Sequence, residues 1–114
     1  QKSIALIEAF VAQNKPVAAV CHGPAALVNA KTPDGKPLVS GKRVTSFTND
    51  EEKAVGLENV VPLSIEDEFK KHGATFERGD NWASYAVVDG KLVTGQNPAS
   101  SDATADEVIK LLSA

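Results

Sequence analysis

Apolar residues recur at helical spacing at Ile4, Leu6, Ile7, Phe10 and Val11, and Asn14, Lys15 and Pro16 follow as a stop signal. The pattern predicts a helix from Ser3 to Gln13. Val17-Ala18-Ala19-Val20 is then a short, wholly apolar run, as expected of a strand covered on both faces of a parallel sheet. Cys21-His22-Gly23-Pro24 breaks that run, and Pro24 to Val28 reads as a helix, because proline is tolerated in a first turn where its missing N–H has no partner anyway. Lys31 to Lys36 is rich in turn formers, and Arg43 to Phe47 is β-branched enough for a further strand.

Thr48 and Asn49 can cap a short helix carrying Asp50, Glu51 and Glu52, where negative charge suits the amino end, with Gly56 as its stop. Ser64-Ile65-Glu66-Asp67 resembles a capping box with Asp in the last place, opening a helix that reaches Lys71 or His72 before Gly73. Ala74 to Arg78 can form a strand. Tyr85 to Val88, Asp89-Gly90 and Lys91 to Thr94 make a hairpin signal, since Asp-Gly suits the positive φ angles of a two-residue turn. Asn97 to Ser101 reads as a polar loop, and Asp102 to Leu112 as an amphipathic helix burying Val108, Ile109, Leu111 and Leu112.

Helices alternating with strands predict an α/β layered fold. A buried parallel strand at 17–20 needs hydrogen-bonded neighbours on both edges, and the later strands fill one side more easily than two. The chain also opens on Gln1. The expectation is therefore that residues 1–114 are the carboxyl-terminal half of one domain whose amino-terminal half lies outside them, missing or on a separate chain.

Composition narrows the partners. Twelve Lys and Arg against 15 Asp and Glu give a formal charge of -3, and no basic stripe is interleaved with aromatics, so no nucleic acid is expected. No apolar run approaches the ~20 residues that cross a bilayer, so no membrane is expected either. A lone cysteine forms no internal disulfide and supplies no thiolate cluster for a metal, which predicts free-thiol chemistry, neither cofactor nor metal, and a reducing, cytoplasmic setting.

Ala19-Val20-Cys21-His22-Gly23 has the form of a nucleophile elbow, with small residues two before and two after the reactive one and a thiol in place of the usual serine. A helix starting at Pro24 would favour the thiolate of Cys21, and the N–H of His22 could donate to an oxyanion. Against a cysteine that merely fills space stands the combination of strand, cysteine, glycine and proline-started helix. His22 is a candidate proton acceptor by adjacency. Glu51 and Glu52 follow the carboxyl end of strand 43–47, where open α/β sheets hold their sites, and either could orient His22. His72 reads as a surface residue. Trp82 and Tyr85 read as core or interface residues, although Trp82 could wall a pocket.

These residues resemble a known family. Lys15 to Pro24, Gly41 to Glu52 and Asp89 to Ser101 are similar to successive blocks of the ThiJ/PfpI superfamily, and Cys21-His22-Gly23-Pro24 with Phe47-Thr48-Asn49-Asp50-Glu51-Glu52 resembles its branch of glutathione-independent glyoxalases and stress-associated chaperones. The resemblance implies a flavodoxin-like three-layer sandwich with a mainly parallel sheet, often as a homodimer. It implies Cys21 as nucleophile, His22 as its neighbour in a triad, and Glu52 as the acid with Glu51 in reserve. It also implies an amino-terminal glutamate and a glycine-rich loop, neither of them in this chain. Class I glutamine amidotransferases share the elbow but carry a His-x-Glu pair downstream, which is absent after Cys21. The expected activity is conversion of methylglyoxal to lactate. A cysteine peptidase or amide hydrolase, and a chaperone or redox sensor, are the rivals, so the expected substrate is a small aldehyde or an amide.

Overall fold

In the computed structural model, residues 2–56 and 64–113 are described. Helix α1 (Lys2–Ala12) leads through Asn14, at φ 59°, into strand β1 (Val17–Val20). A single 3-10 helix follows at Gly23–Leu27, then β2 (Arg43–Val44), α2 (Asn49–Ala54), α3 (Ile65–Lys71), β3 (Thr75–Phe76), β4 (Ala86–Asp89), β5 (Leu92–Gly95), a 3-10 turn at Pro98–Ser100 and α4 (Ser101–Ser113).

Strands β1, β5 and β4 form one sheet in that order, with β1 parallel to β5 and β4 antiparallel to it; β2 and β3 form a separate parallel pair. Helix α4 covers all three strands of the larger sheet. The apolar core includes Leu27, Val28, Leu38, Val39, Val44, Phe69 and Leu92, and Ile4, Ile7 and Val11 of α1 pack against it. This is the layered α/β arrangement expected, with parallel pairing in two of the three strand pairs.

The differences from the pattern have local causes. The segment after Pro24 is a 3-10 helix, not an α-helix. Strand β1 is only half-buried, because among the described residues it pairs with β5 alone and its other edge has no strand beside it. Strand β2 stops at Val44 because the N–H of Thr45 turns to the side chain of Thr94, donating to its Oγ1 at 2.9 Å. The hairpin is one residue out of the expected register: Asp89 pairs with Leu92, so the turn is Gly90-Lys91, with glycine first at φ 60°. Ser64 caps α3 by accepting from the N–H of Asp67, whose carboxylate accepts from Asn49 Nδ2 at 3.0 Å. In α4 the inward stripe runs through Thr104, Val108 and Leu111, while Ile109 and Leu112 face outward among the described residues.

The most crowded glycine is Gly95. It lies opposite Val20, and a Cβ there would overlap Thr104 Oγ1 and come within 2.9 Å of Val20 Cγ2. Its backbone brings α4 close to the sheet just where β1 ends. No helix among the described residues is long and apolar enough to cross a membrane.

Candidate active site

Cys21 sits one residue beyond β1 at φ 63°, a left-handed conformation that costs a non-glycine residue about 1–3 kcal/mol. Backbone bonds on both sides hold it there. Its N–H donates to the carbonyl of Gly95 at 2.9 Å, and its own carbonyl accepts from the N–H of Phe47 at 2.9 Å. The strand-to-helix turn is therefore strained as an elbow requires. Gly23 contributes less than expected, since a Cβ there would meet Ala19 Cβ at an ordinary 3.5 Å.

The three residues singled out from the sequence come together. The Sγ–H of Cys21 faces His22 Nδ1 at 3.5 Å, and His22 Nε2 lies 3.0 Å from Glu52 Oε1. A carboxylate can only accept, so it selects the tautomer with the proton on Nε2 and leaves the Nδ1 lone pair turned to sulfur. The imidazole also rests against the ring of Phe47, with centroids 4.5 Å apart, and Phe47 in turn meets Trp82 at 5.5 Å. His22 is partly open to solvent, whereas Glu52 is buried.

The electrostatics correct one expectation. Desolvation pushes the Cys21 thiol above its ordinary value of 9.0; the His22 N–H directed at sulfur works the other way, and the charges of Glu51 and Glu52 push it further up. The raised pKa leaves Cys21 a thiol at neutral pH, and a base would have to take its proton before sulfur could act as a nucleophile.

Glu51 and Glu52 are neighbours with different surroundings. Glu51 is fully buried and turned away from His22: its Oε1 accepts from the N–H and hydroxyl of Thr48, and its Oε2 accepts from the N–H of Trp82 at 2.9 Å and from Asn97 Nδ2 at 2.8 Å. Thr48 and Glu51 form a full capping box. That signal stood in the sequence as Thr48-x-x-Glu51 and marks the second residue as a helix cap.

Trp82 is not in the core: it is 44% exposed at φ 65°. In the expected polar loop after β5, Asn97 and Ser100 are buried, as is Gln96 just before them, while Pro98, Ala99 and Ser101 are exposed. Gln96 Oε1 accepts from the N–H of Gly79, and Ser100 Oγ accepts from the N–H of Tyr85. The sequence reading missed both, because polar residues near Pro98 signal a loop without saying which of them turn inward. His72 is half-buried at the end of α3, its Nδ1 bonded to the carbonyl of Glu68. Among the described residues no group of three or more His, Cys, Asp or Glu is arranged to hold a metal ion.

Against this geometry stand the likenesses to known proteins. A family model described as DJ-1/PfpI family matches residues 1–111. "Glyoxalase 3" of Candida albicans is 41% identical over 99 aligned residues, in a match covering 82% of this chain and 42% of that protein. "Glutathione-independent glyoxalase HSP31" of Saccharomyces cerevisiae is 42% identical over 104 residues, covering 84% of this chain and 43% of the relative. The crystal structure of glyoxalase III from Candida albicans superimposes with a TM-score of 0.88 at 36% identity, over 94% of this chain and 47% of the other. The chain thus spans somewhat less than half the length of these relatives.

Proposed function

The chain belongs to the DJ-1/PfpI family, and from that premise we propose that the protein of which it forms part is a glutathione-independent glyoxalase converting methylglyoxal and water to lactate, with Cys21 as nucleophile, His22 as its base and Glu52 as the acid that orients His22. The observation that carries this reading is the chain of contacts from Cys21 Sγ through both nitrogens of His22 to Glu52, at 3.5 and 3.0 Å, on a residue held at φ 63°.

Because Cys21 rests as a thiol, His22 Nδ1 accepts its proton while sulfur bonds to the aldehyde carbon, giving a hemithioacetal. The hydrogen on that carbon leaves as a proton and one returns to the neighbouring carbon, through an enediol, yielding a lactyl thioester. Water then cleaves the C–S bond, releasing lactate and restoring the thiol. Glu52 stabilises the imidazolium formed in the first step. No redox partner is needed, since one carbon is oxidised as its neighbour is reduced.

The test uses the full-length protein supplied with methylglyoxal. Wild type is expected to release lactate, and Cys21→Ala to fall to the uncatalysed background. Full lactate output from Cys21→Ala ends the proposal.

A further inference from the structure

We propose that Glu51 is the positioning residue of this site: its buried carboxylate fastens the helix bearing Glu52 to the Trp82 turn and to Asn97 beyond β5, and so fixes Glu52 against His22. The inference rests on the reading of Cys21, His22 and Glu52 given above.

The geometry is that of a hub. Each oxygen of Glu51 takes two donors, Thr48 N–H and hydroxyl on one and Trp82 N–H and Asn97 Nδ2 on the other, at distances of 2.8 to 3.2 Å. These donors come from three separate stretches of chain, before α2, between β3 and β4, and after β5. Asn97 is itself buried and tied to Ala83, whose carbonyl accepts from Nδ2 at 2.8 Å, and its Oδ1 accepts from Ser100 Oγ at 2.9 Å. Thr48 follows Phe47, the ring against which His22 rests. Glu52 is the next residue after Glu51 on a helix of six residues, too short to hold its own orientation without tertiary contacts. A fully buried carboxylate is costly unless every lone pair is met, and here four donors meet it. Burial pushes this carboxyl up, but the bonds from Trp82, Asn97 and Thr48 outweigh it and hold the group below its ordinary value, so it stays ionised. Trp82 could not keep φ 65° without some such anchor, and its N–H goes to Glu51.

Glu51→Gln keeps the shape but turns one acceptor oxygen into a donor, which sets an NH2 against existing donors. In the full-length protein, normalised to titratable thiol, kcat for methylglyoxal is expected to fall about 30- to 100-fold with KM changed less than about threefold, the same split as for Glu52→Gln. If Glu51 acts through Glu52, the double variant Glu51→Gln/Glu52→Gln is no slower than Glu52→Gln alone. Additive losses, or a Glu51→Gln enzyme with wild-type kcat, overturn the proposal. Should Glu51→Gln fail to fold by circular dichroism, Asn97→Ala removes a single donor and serves in the same cycle: a smaller drop in kcat that disappears in the Glu52→Gln background supports the inference, and wild-type kcat overturns it. Lactate output surviving in Cys21→Ala refutes the underlying reading instead, so the two failures are told apart.

Discussion

The two ends of β1 are built on opposite principles. Beneath the strand and toward α1 and α3, Leu27, Val28, Leu38, Val39, Val44 and Phe69 are sealed in apolar contact. Beyond its carboxyl end the buried residues are Thr48, Glu51, Glu52, Gln96, Asn97 and Ser100, and two non-glycine residues, Cys21 and Trp82, hold left-handed backbone angles. The first region is stabilised by area removed from water and is indifferent to pH. The second is held by directed hydrogen bonds around ionisable groups, so its cost is desolvation and strain and its return is a fixed geometry. Stability should therefore respond to volume in one region, and to charge state in the other.

The largest separation is expected from Phe69→Ala against Glu52→Gln. Phe69 is wholly buried in the apolar cluster, and its truncation should cost about 3–5 kcal/mol by denaturant titration, while the folded fraction keeps its turnover. Glu52→Gln should do the reverse. With the His22 partner neutralised, kcat is expected to drop about 100-fold, or about 2.7 kcal/mol of transition-state stabilisation, with little loss of global stability. A Phe69→Ala enzyme whose folded fraction is as impaired as Glu52→Gln would show that the two regions are not separable.

The apolar half was the more legible in the sequence. Apolar patterning marked α1 and the three four-residue strands, and glycine and proline marked most of the breaks, because those signals are local. The residues of the proposed triad were also visible, since Cys21, His22 and the acid pair stand beside strong punctuation. What periodicity could not show is which of two adjacent acids turns inward toward Thr48, Trp82 and Asn97: one residue along a helix is a rotation of about 100°, and only tertiary donors decide where it ends. The left-handed turn at Trp82 had no propensity signal at all, for tryptophan has none for positive φ. Likewise the Asp-Gly signal left open whether Asp89 lies in the turn or pairs with Leu92 as the last residue of β4, and only the cross-strand register decides it.

A second contrast lies in pH. Glu51 is held below its ordinary value of 4.5 in the folded protein, so on acidification the unfolded chain takes up that proton first, and stability falls as pH drops below about 4.5. Cys21 is raised above 9.0; there the unfolded chain releases its proton first, and stability falls as pH climbs past that value. Thermal melts across the range should show both slopes in wild type. Glu51→Gln should flatten the acid limb and Cys21→Ala the alkaline one, whereas Phe69→Ala should lower the whole curve without changing its shape. An acid limb that stays equally steep in Glu51→Gln would assign the acid sensitivity to other carboxylates.

The smallest effect is also the cleanest probe of strain. At ordinary positions alanine is more stable than glycine by about 0.4–1 kcal/mol, because glycine leaves the unfolded chain more freedom. At φ 65° the order should invert, since a Cβ in the left-handed region costs about 1–2 kcal/mol that glycine avoids. Trp82→Ala and Trp82→Gly both lose the contact with Phe47 and both keep the N–H that Glu51 accepts, so their difference isolates the backbone. Trp82→Gly is expected to be the more stable of the two by roughly 1 kcal/mol. In the Glu51→Gln background that difference should shrink, because a turn released from its anchor can relax to an unstrained angle. Alanine outlasting glycine at this position, with Glu51 intact, would mean that the turn carries no strain and that Glu51 has nothing there to hold.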